Sequence, residues 1–229
     1  MPGEEEYDYT VTITMSQQTV DYLERDGYLL YGFKAGNGSP WVGSKPLVWF
    51  STDKYALTTT IGWDQKYQAY ISQDEIVVDG KITTSNSYDI TLGQRLDVTG
   101  KSGDGEVKDD PELKGKIGIS NTTTNEFTCG IAQRNNRTSN FNPIAAFDLL
   151  GGNLDTFAPV EKVLLLFALN PVDTGTVKEQ SFAPALLIDI SGVSEREVEY
   201  DINNGWSCGG NTWCTPYKAE DDIQFLAMS

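Results

Sequence analysis

The feature that most limits the fold of this chain is a hydrophobic period of two residues. In the segment 7–15, YDYTVTITM, apolar and polar side chains alternate from Tyr7 to Met15. The same alternation returns in 88–99, YDITLGQRLDVT, and in 196–202, REVEYDI. Because successive side chains of a strand point to opposite faces of a sheet, each segment is predicted to be a strand with one buried face. The dominant pattern therefore indicates an all-β protein.

Apolar runs between these segments predict strands that are more fully buried. They are 27–33, 46–50, 162–169 and 185–190, with shorter strands expected over 66–71, 75–84 and 116–120. The Asp79-Gly80 pair predicts a hairpin turn. Only two short helices are expected, one over 17–24 after a capping Ser16 and one over 142–150. Many short strands with at most one or two short helices predict an antiparallel β-sandwich or a distorted barrel.

A charged and glycine-rich segment, 101–116, is the least regular part of the chain. It is predicted to be a loop rather than a linker, because the strands after it look like partners for those before it. All-β sandwiches often reach this chain length as one unit. We therefore expect residues 1–229 to form a single all-β domain.

The charge balance and the missing histidine exclude several functions. The chain carries 33 Asp and Glu against 17 Lys and Arg, a net charge of −16, and it has no His. Such a surface repels phosphate backbones, so binding to nucleic acid is not expected. Without His the Ser-His-Asp and Cys-His arrangements are impossible, and the commonest metal ligand is missing. A carboxylate-dependent hydrolase stays open as a third hypothesis, although the sequence selects no carboxylate pair.

No targeting or membrane-spanning segment is visible. The opening MPGEEEYDY lacks the basic start and apolar stretch of a signal peptide. The longest apolar run, VLLLFAL at 163–169, is far shorter than the roughly 18 residues that span a bilayer. The compartment stays open: the cytosol, secretion by another route, or the outside of the cell if this is a mature form.

The segment 200–214, YDINNGWSCGGNTWC, contains the residues most suggestive of a site. Cys208 and Cys214 enclose a short flexible loop and are predicted to form a disulfide, with two free thiols as the alternative. A disulfide implies an oxidising compartment. Cys129 is left over and is predicted to be a small core residue. Three cysteines without His and without a CxxC pair make a poor zinc site.

Trp206 and Trp213 flank the two cysteines and are expected to be cross-strand neighbours in a disulfide-pinned hairpin. The rings either cover the open end of a sandwich or form a recognition loop. In a recognition loop an indole stacks on a sugar ring while polar side chains bind hydroxyls, or the rings insert into a membrane interface. The candidate polar side chains are Asp201, Asn203, Asn204 and Asn211.

Two acidic stretches raise calcium as a candidate cofactor, although no cofactor is required. One is DINNG at 201–205, and the other is GDGEVKDD at 103–110, which does not match a complete EF-hand loop. The candidate ligands of the second stretch are Asp104, Glu106, Asp109 and Asp110.

The order of segments resembles a group of small all-β proteins from fungi and bacteria that carry no assigned activity. The similar segments are YTVTIT, GYLLYGF, LVWF, YQAYI, ITTSNSYDITLG, VLLLFAL and ALLIDISG. The resemblance implies an all-β fold and no functional residue.

Three functions follow in order of preference. The first is a non-enzymatic binding protein, lectin-like or toxin-like, that recognises a glycan or a lipid headgroup through the loop 201–217. The second is self-assembly as a fibre, storage body or pore, because the strand at 7–15 could pair with a neighbouring subunit in a homo-oligomer. The third is the carboxylate-dependent hydrolase.

Overall fold

The computed structural model describes residues 7–39 and 44–227. Within them the chain forms sixteen β-strands, one α-helix, α1 (Gln17–Asp26), and one 3-10 helix, Gln224–Ala227. The strands are β1 (Tyr9–Thr14), β2 (Leu29–Ser39), β3 (Lys45–Pro46), β4 (Phe50–Thr52), β5 (Thr58–Ser72), β6 (Asn86–Ile90), β7 (Gln94–Val98), β8 (Gly105–Asp109), β9 (Ile117–Asn121), β10 (Phe127–Asn135), β11 (Thr138–Leu149), β12 (Leu154–Ala168), β13 (Ala185–Asp189), β14 (Glu195–Asp201), β15 (Gly205–Ser207) and β16 (Cys214–Tyr217). The expected all-β class is confirmed.

The strands form two eight-stranded sheets. The first sheet runs β15-β14-β1-β5-β10-β11-β3, with β6 beside β5. The second runs β16-β13-β12-β9-β7-β8, with β2 beside β12 and β4 beside β2. Apolar side chains of both sheets share one main core. The sandwich is confirmed, but its sheets are mixed rather than purely antiparallel, because β1 pairs in parallel with β14 and β7 with β9.

The alternating pattern of β1 correctly predicted its buried face but did not show where the strand lies in its sheet. Val11 and Ile13 are fully buried, and the threonines between them are partly exposed. However, β1 lies inside the sheet, hydrogen-bonded to β14 on one side and to β5 on the other. Its backbone groups are therefore already paired. The prediction that this strand could pair with a neighbouring subunit is wrong.

The predicted first helix forms, and local chemistry sets its two ends. The side chain of Ser16 accepts a hydrogen bond from the backbone N–H of Thr19 at 3.2 Å, which satisfies a free donor of the first turn. Gly27 ends the helix with a left-handed φ of 77°, which glycine adopts without strain. Val20 and Leu23 are buried, so the helix packs its apolar face on the main core.

The helix predicted over 142–150 is wrong, because this segment lies in β11. The adjacent Ile144 and Ala145 are both buried, so the run shows no alternation that would distinguish a strand. A strand buried on both faces reads as a short continuous apolar run, which periodicity cannot separate from a helix.

The segment 88–99 is two strands rather than one. Gly93 has a left-handed φ of 85° and breaks the run between β6 and β7. Because β6 belongs to the first sheet and β7 to the second, the chain crosses between sheets here. Leu92, predicted to share the buried face, lies in the connection and is 41% exposed.

The strand predicted over 75–84 does not form. Asp79 has a φ of 63°, and the N–H of Gly80 donates to the carbonyl of Val77 at 2.9 Å, so a tight turn is present. In the described part of this segment, Lys81 forms only an isolated bridge with Thr176. The turn signal was correct, but the flanking residues are not a hairpin.

Two further segments differ in detail from the prediction. The run 46–50 contributes to two short strands, β3 and β4, separated by buried Leu47, Val48 and Trp49. The charged segment 101–116 contains β8, which pairs with β7. Only the parts of 101–116 that flank β8 are loops.

Candidate binding site at the disulfide-linked edge

Cys208 and Cys214 form the predicted disulfide, with their Cα atoms 6.6 Å apart. The bond joins the two sheets at one edge. β15, just before Cys208, is the end strand of the first sheet, and β16, which begins at Cys214, is the end strand of the second. The segment is therefore not the pinned hairpin that was predicted, because β15 pairs with β14 and β16 pairs with β13. We call residues 201–214 the linked edge.

Trp206 lies on β15 directly opposite Tyr200 of β14. Its ring stacks on Phe167 with centroids 5.6 Å apart and planes inclined by 18°, and it meets the Tyr200 ring at 4.8 Å. The indole Nε1 donates to the carbonyl of Pro184 at 3.3 Å. Burial raises the pKa of Tyr200 to about 12, so its phenol stays protonated. These contacts hold Trp206 in one orientation while leaving part of its ring in solvent.

Trp213 has different neighbours and is not a cross-strand partner of Trp206. The guanidinium of Arg196 lies over its ring, 4.8 Å from the centroid. Its carbonyl accepts a hydrogen bond from the N–H of Asp189 at 2.8 Å. The ring is partly buried against the main core. The charge above this indole occupies the face on which a sugar would stack.

Asp201 organises the turn between β14 and β15. Its Oδ1 accepts hydrogen bonds from the backbone N–H groups of Asn203 and Asn204, both at 3.0 Å, and from the Asn204 amide at 2.9 Å. Its Oδ2 accepts from the Thr19 hydroxyl at 3.3 Å, which ties the turn to α1. The two backbone N–H groups hold the pKa of Asp201 below its ordinary value. Both oxygens of this carboxylate therefore accept hydrogen bonds that hold the turn in place.

The three asparagines of the predicted site differ in whether their side-chain amides are already hydrogen-bonded within the protein. Asn211 donates its amide to the carbonyl of Cys208 at 2.5 Å and so closes the disulfide loop. The side-chain amide of Asn204 donates a hydrogen bond to Asp201. Asn203 is exposed at the tip of the turn. Of these amides, that of Asn203 is the most available to a ligand.

The four calcium candidates do not form a metal site. Within residues 7–39 and 44–227, no group of three or more His, Cys, Asp or Glu side chains is placed to hold a metal ion. Basic and amide side chains pair with three of these carboxylates. Arg95 Nη1 donates to Asp110 at 2.7 Å, Gln94 donates to Asp109 at 2.9 Å, and Lys108 forms an ion pair with Glu106 at 3.4 Å. Asp104 precedes β8, and its carbonyl accepts the N–H groups of Thr99 and Gly100. The calcium alternative is therefore not supported.

Sequence reasoning missed a buried charged pair in the interior. Lys34 Nζ donates to Glu161 Oε2 at 2.8 Å and to the carbonyl of Val160 at 2.9 Å, and it lies 5.0 Å from the centroid of the Trp63 ring. The Trp63 Nε1 donates to the same Glu161 oxygen at 3.0 Å. Burial lowers the pKa of Lys34, and Glu161 opposes that shift. A lysine inside the apolar run of β2 was the only signal of this pair in the sequence.

A second buried polar contact joins Cys129 to Asp155 across the interior. Cys129 is the predicted core residue, and its Sγ lies 3.9 Å from Asp155 Oδ2. Burial raises the pKa of the Cys129 thiol well above its usual range, so it is not a reactive thiolate. Asp155 is 4% exposed, so its carboxyl group is largely shielded from solvent.

No helix in the described residues is long and apolar enough to cross a membrane. No protein-family model, curated protein or solved structure matches the chain. Its function has to be inferred from the chemistry of its own residues.

Proposed function

We propose that the chain is a non-enzymatic protein that binds a glycan at the linked edge, with Trp206 as the principal contact. The observation that carries the proposal is the packing of Trp206. Its indole is partly exposed, stacks on Phe167 and contacts the ring of Tyr200. A flat ring that is already held in place loses little conformational entropy when a ligand stacks on it.

A polar side chain suited to sugar hydroxyls lies in the turn just before the strand that carries Trp206. Asn203 is exposed at the turn that leads into β15, and Gly205 of that strand is paired with Asp201. An amide side chain both donates and accepts hydrogen bonds, which matches the hydroxyl groups of a sugar. Trp213 and Asn211 are expected to contribute less to binding. The guanidinium of Arg196 lies over the Trp213 ring, and the Asn211 amide is hydrogen-bonded to the carbonyl of Cys208.

The same chemistry supports the choice of a binding protein over an enzyme in this proposal. The chain has no His, and the carboxylate of the linked edge, Asp201, is held in its ionised form by the turn. Burial raises the pKa of Asp155 to about 6, a value that suits a general acid, but this side chain lies in the interior against Cys129. These observations favour a binding protein over the hydrolase.

Charge favours a glycan over a lipid headgroup as the ligand. A net charge of −16 repels the anionic surface of most membranes. A neutral sugar meets no such barrier. The lipid headgroup is the alternative that the binding experiment distinguishes.

The test compares binding of wild type, Trp206→Ala and Asn203→Ala to an array of neutral glycans, with phosphatidylcholine vesicles as the lipid arm. Tyr9→Ala is the matched control, because Tyr9 is also a partly buried ring stacked on another, with its centroid 5.8 Å from that of Trp63. We expect Trp206→Ala to weaken glycan binding at least about tenfold and Tyr9→Ala to leave it unchanged. Trp206→Leu, which keeps apolar volume without a flat face, serves if the alanine variant unfolds.

Two outcomes contradict the proposal. Glycan binding that survives both Trp206 substitutions places the ligand elsewhere. Binding to vesicles without binding to any glycan assigns the linked edge to lipid headgroups.

A further inference from the structure

A surface pocket of about 380 Å³ is lined by residues that do not belong to the linked edge. It is formed by the loop before β5, the first residues of β5, and the turn between β10 and β11. The residues that line it include the cationic Lys54 and Arg137 and the threonines Thr58, Thr59 and Thr60. In a chain with nearly twice as many acidic as basic residues, two cations beside one pocket are an unusual local arrangement.

Arg137 is held in place by its neighbours. Asn136 anchors the turn to β5, because its Nδ2 donates to the carbonyl of Thr60 at 3.0 Å and its Oδ1 accepts from the N–H of Gly62 at 2.9 Å. The same Oδ1 accepts from Arg137 Nε at 3.2 Å, and Arg137 Nη1 donates to the carbonyl of Lys54 at 3.3 Å. A guanidinium has five N–H donors, so these two bonds leave donors for a ligand.

In the part of the chain that the structure describes, neither cation of the pocket has a carboxylate partner. In the described residues, no Asp or Glu oxygen lies within 4.0 Å of Lys54 or Arg137, whereas Lys34, Arg95 and Lys178 all form ion pairs. Arg137 is partly buried, and burial lowers its pKa. A partly desolvated guanidinium that has no carboxylate partner among the described residues is stabilised by an oxyanion that accepts hydrogen bonds from its remaining N–H donors.

We propose that this pocket binds one sulfate or phosphate group of a small soluble ligand. The planar fork of Arg137 contacts two oxygens of the group, and the ammonium of Lys54 supplies a second charge. The hydroxyls of Thr58 and Thr60 donate to remaining oxygens. Thr58 is exposed and Thr60 is partly exposed, so both are open to a ligand.

The surroundings restrict the ligand to a single anionic group. Burial raises the pKa of Tyr55, which lines the pocket, and the nearby charges of Glu24 and Asp53 add to this shift. These carboxylates add repulsion for every further anionic group, so a single compact oxyanion is favoured over an extended polyanion such as nucleic acid or an anionic membrane. The pocket shares no residue with the linked edge, so this inference does not depend on glycan binding there.

The experiment titrates the ¹⁵N-labelled full chain with inorganic sulfate and with inorganic phosphate, against chloride at the same ionic strength. The readouts are the backbone amides of Thr58–Thr60 and the Nε–H of Arg137. We expect saturable shifts with both oxyanions and not with chloride. Arg137→Gln should weaken binding at least about tenfold, and Arg137→Lys should give an intermediate affinity because it keeps the charge but loses the fork.

The matched control is Arg134→Gln, which removes the same charge from a partly exposed arginine that does not line the pocket. We expect this variant to bind like wild type. Two results would overturn the proposal: oxyanion titrations without saturable shifts in the wild type, or equal affinities in Arg137→Gln and Arg134→Gln. Amide spectra recorded without the ion establish that each variant is folded.

The source of the group is tested with a sulfated monosaccharide, a phosphorylated monosaccharide and vesicles containing phosphatidylserine. Binding of either sugar with loss in Arg137→Gln supports a soluble ligand. Arg137-dependent binding to vesicles alone contradicts it and assigns the pocket to a lipid phosphate.

Discussion

Asp155 shows how one residue makes stability depend on pH. Its side chain is buried opposite Cys129, and its Oδ1 has no hydrogen-bond partner among the described residues. Burial raises the pKa of Asp155 to about 6, and the nearby charge of Asp148 adds to this shift. The folded state therefore favours the protonated carboxyl, whereas an unfolded Asp titrates near 3.9.

We predict that Asp155→Asn stabilises the protein in a pH-dependent way. Because the folded pKa is raised, the proton on Asp155 contributes stability that is complete below about pH 4 and lost as pH rises through 6. The neutral amide removes this loss. The variant should therefore have a free energy of unfolding up to about 3 kcal/mol higher than wild type at pH 8, and a similar value at pH 4.

Urea unfolding at the two pH values measures this difference. Comparing variant with wild type at each pH cancels the titration of the other carboxylates. Equal differences at pH 4 and pH 8 would show that the substitution acts through packing rather than through the buried charge.

At this scale the sequence predicted some contacts and not others. Cys208 and Cys214 are six positions apart, so their pairing could be inferred from the short loop between them. Lys34 and Glu161 are separated by 127 positions, and only the antiparallel pairing of β2 with β12 brings them together. A contact of this kind depends on register, which patterning alone does not supply.

The strands and the helix were predictable where each one carries its own signal. β1 has a buried and a partly exposed face, and α1 has a capping Ser16 and a terminal Gly27. The predictions failed where neighbours decide the structure. β11 is buried on both faces, so its sequence does not alternate between apolar and polar residues. At Gly93 the chain passes from the first sheet to the second, within a segment that the sequence pattern predicted to be one strand.

The candidate site was predictable in composition and not in arrangement. Trp206 and Trp213 are close in sequence, and a hairpin would have placed them side by side. Instead β15 and β16 belong to different sheets, so the two rings pack on different neighbours. Which sheet a short edge strand joins depends on the free edges available, and these are set by distant parts of the chain.

The disulfide gives a prediction at the level of elements, because it joins the end strands of both sheets. Replacing Cys208 and Cys214 by Ser should lower the free energy of unfolding by about 2 kcal/mol, the chain-entropy estimate for so short a loop. The measurement is urea unfolding of the double variant, with reduced wild type as a second sample.

The matched control is Cys129→Ser, which removes a buried thiol outside the disulfide. Adding reductant should lower the stability of Cys129→Ser as much as that of wild type, and should leave the double variant unchanged. A double variant as stable as oxidised wild type would mean that edge pairing alone holds β15 and β16 together.

For the whole molecule, pairing between distant segments argues against two independent halves. β12, after the charged segment 101–116, forms its longest pairing with β2, before it. β14 lies in parallel beside β1, and β7 lies in parallel beside β9. The main core draws on both ends of the chain, from Val11 to Val198. Division at 101–116 would leave strand edges unpaired and apolar faces exposed on both pieces.

We therefore predict that fragments 1–100 and 117–229 do not fold alone, and that the whole chain unfolds in one cooperative transition. Circular dichroism of each fragment should show no cooperative urea transition. In the intact protein the transitions followed by far-ultraviolet circular dichroism and by tryptophan fluorescence should coincide. Trp49 and Trp63 lie in the same core as Val198, so local loss of that core is reported by both probes. A cooperative transition in either fragment would instead identify an independent domain, and the segment 101–116 would then act as its boundary.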